Sequence, residues 1–167
     1  MKGGIQKGTV AADTMARTLD INLKDISKEL RDELKNIPGL KYYYRLPKDK
    51  KIGTAGCQPD GGLWFLNDVL IATFEGKKQG DSGNAIERWF KNNFICRSIN
   101  SAVDYVTFCV GKGAYEQGTM GKILSPAHLG GYNKYVSGGN TCYMSINGFT
   151  AKEIKQKMKK IILEHIQ

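Results

Sequence analysis

Two acids and an amine stand near one another in this sequence. Asp60 lies in Pro59-Asp60-Gly61-Gly62, and fifteen residues further on comes Glu75-Gly76-Lys77. Between them, LWFL and VLIATFE flank Asn67-Asp68, a pattern that predicts two strands joined by a tight turn. Such a hairpin returns the end of the second strand to the start of the first, so Asp60 can approach Glu75. Side chains alternate along a strand, which puts Glu75 and Lys77 on one face and Gly76 on the other. Two carboxylates beside an ammonium suit a hard divalent cation: Asp60 and Glu75 supply oxygens to Mg²⁺, and water and a substrate phosphate complete its shell. Lys77 would position or deprotonate the attacking water while the metal offsets charge developing on the phosphoryl oxygens. The same residues also fit a plainer arrangement, an Asp-Gly-Gly turn with a surface Glu–Lys pair on an edge strand.

The elements that must position these groups read as α/β. Residues 14–37 carry Leu19, Leu23, Ile26, Leu30, Leu34 and Ile37 at helical spacing, stopped by Pro38-Gly39. Residues 40–46 predict a strand, and the lysine-rich stretch to Gly56 a loop. Ala85, Ile86, Trp89, Phe90 and Phe94 predict a helix in which Trp89, Phe90 and Phe94 serve the core and a dimer interface. Asn84 and Glu87 are spaced as its capping box. Residues 103–110 and 141–146 predict two further strands around a glycine-rich span, 111–140. A stretch that long without periodicity usually holds functional loops. The last helix has a capping box in Thr150 and Glu153, a staple in Phe149 and Ile154, and an apolar face of Ile154, Met158, Ile161, Ile162 and His165. Its five lysines are expected on a solvated face. The expectation is one domain over residues 1–167, a central mixed β-sheet flanked by helices.

Composition narrows the partners. The chain has 167 residues, with 25 Lys+Arg against 16 Asp+Glu, a net charge of +9. Residues 1–56 hold 12 basic and 7 acidic side chains (+5), 57–100 hold 5 of each, and 101–167 hold 8 and 4 (+4). A basic excess on this scale favours a polyanion, since cations set against phosphates release condensed counterions. No apolar run is long enough for a membrane span and no apolar segment follows Met1, so a cytoplasmic protein without membrane contact is expected. Cys57, Cys96, Cys109 and Cys142 include no Cys-x-x-Cys pair, and with only His128 and His165 there is no zinc pattern. Four reduced, mostly buried thiols are expected, and His128 has no part in the proposed chemistry.

Three blocks occur in order: PDGG at 59–62, EGKKQG at 75–80, and GNAIER at 83–88 with a following KN at 91–92. Together they resemble the PD-(D/E)xK nucleases, and within them the EcoRI-type restriction endonucleases. The resemblance covers about 35 residues, 59–93; the chain is shorter than typical members and the interval from Lys77 to Gly83 is compressed. It implies a restriction-endonuclease-like fold and a homodimeric type II enzyme. That enzyme would cut both strands of a palindromic double-stranded DNA site with Mg²⁺, leaving 5′-phosphate ends. A cognate DNA methyltransferase would be a possible partner. Asp60 and Glu75 would be metal ligands and Lys77 the catalytic lysine, with Glu29 or Glu33 as candidates for a fourth acid. Base reading would fall to the third block, with Asn84, the Ala85 backbone, Glu87 and Arg88 at an AATT core; this role and the capping box are compatible. Gln79, in the second block, and the loop lysines Lys112, Lys122 and Lys134 are further DNA-contact candidates. On the same scaffold the alternatives are a repair, resolvase or homing nuclease, and outside enzymes a non-catalytic DNA-binding protein.

Overall fold

A computed structural model describes residues 22–51, 53, 55–77, 83–109, 140–146 and 148–166, without the side chains of 77, 83–86, 109 and 140–145. The elements in chain order are α1 (Leu23–Glu33), β1 (Leu40–Tyr43), a short 3₁₀ turn (Lys48–Lys50), β2 (Leu63–Leu66), β3 (Val69–Lys77), α2 (Gly83–Ile99), β4 (Asp104–Cys109), β5 (Asn140–Ser145) and α3 (Ala151–Glu164). The strands form one mixed sheet in the order β1-β2-β3-β4-β5. The first three pair antiparallel, and β3-β4 and β4-β5 pair parallel, with α2 connecting β3 to β4. This is the expected α/β arrangement of a mixed sheet with flanking helices.

Alternation along the strands sends side chains into two cores. On one face, Phe74, Val106 and Phe108 pack with Ile26 and Leu30 of α1 and with Ile154, Met158 and Ile162 of α3. On the other, Phe65, Leu70 and Tyr105 pack with Trp89, Ile95 and Cys96 of α2. Trp89 Nε1 donates to Thr107 Oγ1 at 2.9 Å, so the largest ring under α2 is satisfied as well as buried. Cys57 and Cys96 are buried free thiols.

Several boundaries move for identifiable reasons. The first helix starts at Leu23 because the Asn22 side chain accepts from Lys24 N, and it ends at Glu33 rather than Ile37. Leu19 lies outside the described residues. β1 stops at Tyr43 instead of Leu46, whose N–H turns away to bond the Cys57 carbonyl at 2.8 Å. α2 already includes Gly83, so Asn84 sits inside the first turn and not at the N-cap that the Asn84–Glu87 spacing predicts. Of its aromatic residues Trp89 is fully buried, whereas Phe94 is 59% exposed. The Asn67-Asp68 turn is as expected, both residues having positive φ, and the Thr150–Glu153 capping box is present. His165 departs from the apolar role assigned to it: its Nε2 meets Asp104 Oδ2 at 2.6 Å, tying the end of α3 to the start of β4.

The turn before β2 depends on its glycines. Gly62 has φ +73°, and a Cβ there would lie 2.3 Å from Tyr42 Cε1 and 2.6 Å from the Tyr43 carbonyl oxygen. Gly53 also has positive φ (+64°) but open space around it. Gly53→Ala is expected to cost about 1 kcal/mol, the strain of a left-handed backbone. Gly62→Ala adds a clash with β1 and is expected to cost roughly 2 kcal/mol beyond that. Urea unfolding of the two variants checks the difference, and equal losses would contradict this account of the turn.

Candidate active site

Asp60 reaches its position through three hydrogen bonds. Gly62 N–H closes the turn on the Pro59 carbonyl at 2.9 Å, and Gly61 N–H bonds the Phe74 carbonyl at 2.7 Å, running the chain alongside β3. Ser27 Oγ, on the buried face of α1, donates to the Gly61 carbonyl at 2.8 Å. The Asp60 carboxylate then accepts from Gly76 N at Oδ2, 2.9 Å. In return, Asp60 N–H donates to Glu75 Oε1 at 3.3 Å. The two acids are thus cross-linked through each other's strands, as the hairpin argument expected.

Their environments differ. Asp60 is exposed, whereas Glu75 is 7% exposed on the α2-facing side of β3. Glu75 Oε2 accepts from Asn92 Nδ2 of α2 and from Tyr105 OH of β4, both at 3.2 Å. These donors fix one oxygen, and the other, Oε1, faces Asp60. Burial pushes the Glu75 carboxyl up to about 7, and the nearby Asp60 charge adds to the rise. In the protein alone, Glu75 therefore holds a proton up to near neutral pH. Asn92 Oδ1 is buried beside Glu75 and has no hydrogen-bond partner among the described residues.

Lys77 lies in β3 two residues beyond Glu75, paired in register with Cys109, and so occupies a position on the Glu75 face. Glu87 and Arg88 are exposed in the first turns of α2, which also contain Asn84 and Ala85. Gln79, Lys112, Lys122, Lys134 and His128 lie outside the described residues. The fourth-acid candidates Glu29 and Glu33 pair with α3, where Lys155 Nζ meets Glu33 Oε2 at 2.5 Å and Glu29 Oε1 at 3.4 Å, and Lys159 meets Glu33 at 3.4 Å. The hydrogen bond from Lys155 holds the Glu33 carboxyl below its ordinary value. Opposite charges on α3 recruit these acids, which sequence spacing within α1 cannot reveal.

Three residues that hold the site were missed by the sequence reading. Asn92 stands in the KN pair of the third block, but nothing there assigned it to Glu75. Tyr105 is a hydroxyl-bearing residue of β4, two positions from Thr107 and so on the same face. Ser27 interrupts the apolar face of α1 between Ile26 and Leu30. A polar group on a buried face was the available signal in the last two cases.

Comparisons with protein-family models, curated proteins and solved structures returned no match. Among the described residues no group of three or more His, Cys, Asp and Glu could hold a metal. The donor set nevertheless suits a hard cation that keeps most of its waters: two adjacent carboxylates, one buried against its charge, with an unpartnered amide oxygen beside them.

Because the Glu75 carboxyl binds its proton more tightly in the folded than in the unfolded chain, stability of the metal-free protein falls as pH rises from about 4.5 to about 7. Glu75→Gln keeps acceptors for Asn92 and Tyr105 and removes the charge. It should raise the Tm at pH 8 by about 5 °C and leave it nearly unchanged at pH 5. Thermal unfolding at the two pH values, with EDTA, checks this. An equal shift at both would contradict the assigned cause.

Proposed function

We propose that the protein is a Mg²⁺-dependent, sequence-specific endonuclease acting on double-stranded DNA, of the restriction type. The observation that carries this reading is the pairing of Asp60 with Glu75, one carboxylate exposed and one buried, at the parting of β2 and β3. The third block, on α2, supports it, since the same helix supplies Asn92 to Glu75 and carries Glu87 and Arg88 on its exposed first turns. The net charge of +9 suits a polyanionic substrate.

In this reading Asp60 and Glu75 hold the ion, which when bound neutralises charge on the scissile phosphate and on the water that attacks it. Gly76 N–H holds Asp60 Oδ2, and Asn92 and Tyr105 hold Glu75 Oε2, so neither carboxylate swings out of line. Lys77 orients the attacking water from the same strand face. Asn84, the Ala85 backbone and Arg88 read an AATT core from the start of α2, and Phe94 on its outer face suits contact with a second copy. Such an enzyme would work beside a DNA methyltransferase that protects its own sites.

Plasmid incubated with the protein and Mg²⁺ should give discrete fragments with 5′-phosphate ends, and none with EDTA. Sequenced ends from a randomised library should be enriched in AATT. Glu75→Gln and Lys77→Ala should each lower cutting at least 10³-fold while specific binding persists, as expected for groups acting on the reacting phosphate. Retained turnover in either variant would remove the assignment. Preference for branched DNA would indicate a resolvase, and retarded but intact plasmid a protein that only binds.

A further inference from the structure

Helix α1 sorts its side chains into three faces. With about 100° per residue, Lys24, Lys28 and Arg31 fall within roughly 60° of one another, and Lys35 follows just past the helix end. The apolar residues Leu23, Ile26, Leu30 and Leu34 point into the core on one side of this stripe. On the far side, Glu29 and Glu33 are engaged by Lys155 and Lys159 of α3. Two of the four acids of α1 are therefore drawn away from the stripe, while Asp25 and Asp32 flank it. What the stripe faces is also basic: β1, at the edge of the sheet, and the turn after it bring Lys41, Arg45, Lys48 and Lys51.

Between the two lies a groove. One part, of about 510 Å³, is lined by Lys28, Arg31, Arg45, Lys48 and Lys51 with Tyr42 to Tyr44 as its floor. A second part, of about 350 Å³, continues along Arg31, Lys35 and Lys41. Lys24 Nζ and Arg45 Cζ lie 4.5 and 5.2 Å from the same Tyr44 ring, so two cations from separate elements meet on one aromatic group. Among the described residues, the groove's Arg31 pairs with its neighbour Asp32, at 3.4 Å and exposed, a weak competitor for an incoming anion. Gathering like charges across a cleft costs free energy in the free protein and is relieved by a polyanion. The α1 wall of the groove is tied to the turn that carries Asp60: Ser27 of α1 bonds Gly61, and Gly62 packs on the Tyr42 ring.

We propose that the groove between α1 and β1 is a second nucleic-acid contact surface, which grips the phosphodiester backbone of DNA where it runs toward the Asp60–Glu75 site. This takes from the endonuclease reading only the identity of the polyanion. Tyr42 packs against Trp64 and Tyr43 against Phe65, and the exposed Tyr44 ring is met by Lys24 and Arg45, so the grip is on phosphates and not by base stacking. Binding here is therefore independent of base sequence and adds affinity to whatever the start of α2 reads.

The test uses a labelled 24-base-pair duplex of arbitrary sequence, in EDTA, with salt varied. Lys28→Glu, Arg31→Glu and Arg45→Glu combined should weaken binding at least tenfold at 0.1 M salt. With three phosphate contacts gone, the slope of log K against log salt should shrink by about 2.7. Lys152→Glu, Lys157→Glu and Lys160→Glu on the outside of α3 change the net charge equally and should leave that slope nearly intact. The three neutral Gln substitutions in the groove should give an intermediate loss, and circular dichroism identifies any variant that fails to fold. Equal losses in the groove and α3 variants, or a groove variant with an unchanged slope, would overturn the proposal. So would a groove variant that loses binding to phosphatidylserine vesicles but keeps it to DNA. Because no metal is present, these results stand whether or not the protein cuts. A Mg²⁺ arm at saturating protein reads cutting separately.

Discussion

Two carboxylates held within hydrogen-bonding reach of each other's backbones, one of them out of water, form the arrangement on which the site depends. Asp60 and Glu75 repel when both are ionised, and burial of Glu75 adds to the cost. Four elements combine to impose this. The glycine turn pinned by Ser27 carries Asp60, β3 carries Glu75, α2 brings Asn92, and β4 brings Tyr105. A fold that required only stability would place an apolar residue at the inner position. A cation at the same spot reverses the sign of every term: the repulsion becomes joint attraction, and the buried charge gains a partner.

Charge is organised beyond the site by the same sorting of faces. α3 presents lysines and α1 presents acids where the two helices meet, and these neutralise each other at the surface. On the next face of α1 the cations meet other cations from the edge of the sheet. Basic side chains of the N-terminal third are thereby gathered in a groove whose α1 wall is bonded to the turn that carries Asp60.

Periodicity and turn chemistry made much of this legible from the chain. The Asn67-Asp68 turn and the apolar strands on either side of it were enough to bring Asp60 beside Glu75. The capping box at Thr150 located α3 because both partners lie within one turn of each other. Contacts between distant elements were hidden. The pull of Lys155 on Glu33 spans 122 residues, and that of Asp104 on His165 spans 61. The start of α2 misled because Asn84 and Glu87 fit the spacing of a cap, whereas the helix already includes Gly83. Tyr105 and Asn92 were invisible as site residues because sheet register and helix packing, not spacing, bring them to Glu75.

Carbon-13 NMR of the carboxyl groups of Asp60 and Glu75, titrated with and without Mg²⁺, reads the central arrangement without reference to cutting or DNA. The account predicts a Glu75 signal that titrates near pH 7 in EDTA and that moves to well below pH 6 when Mg²⁺ is added. An ordinary carboxylate titration near pH 4.5 in EDTA, or a curve that Mg²⁺ leaves unmoved, would contradict it.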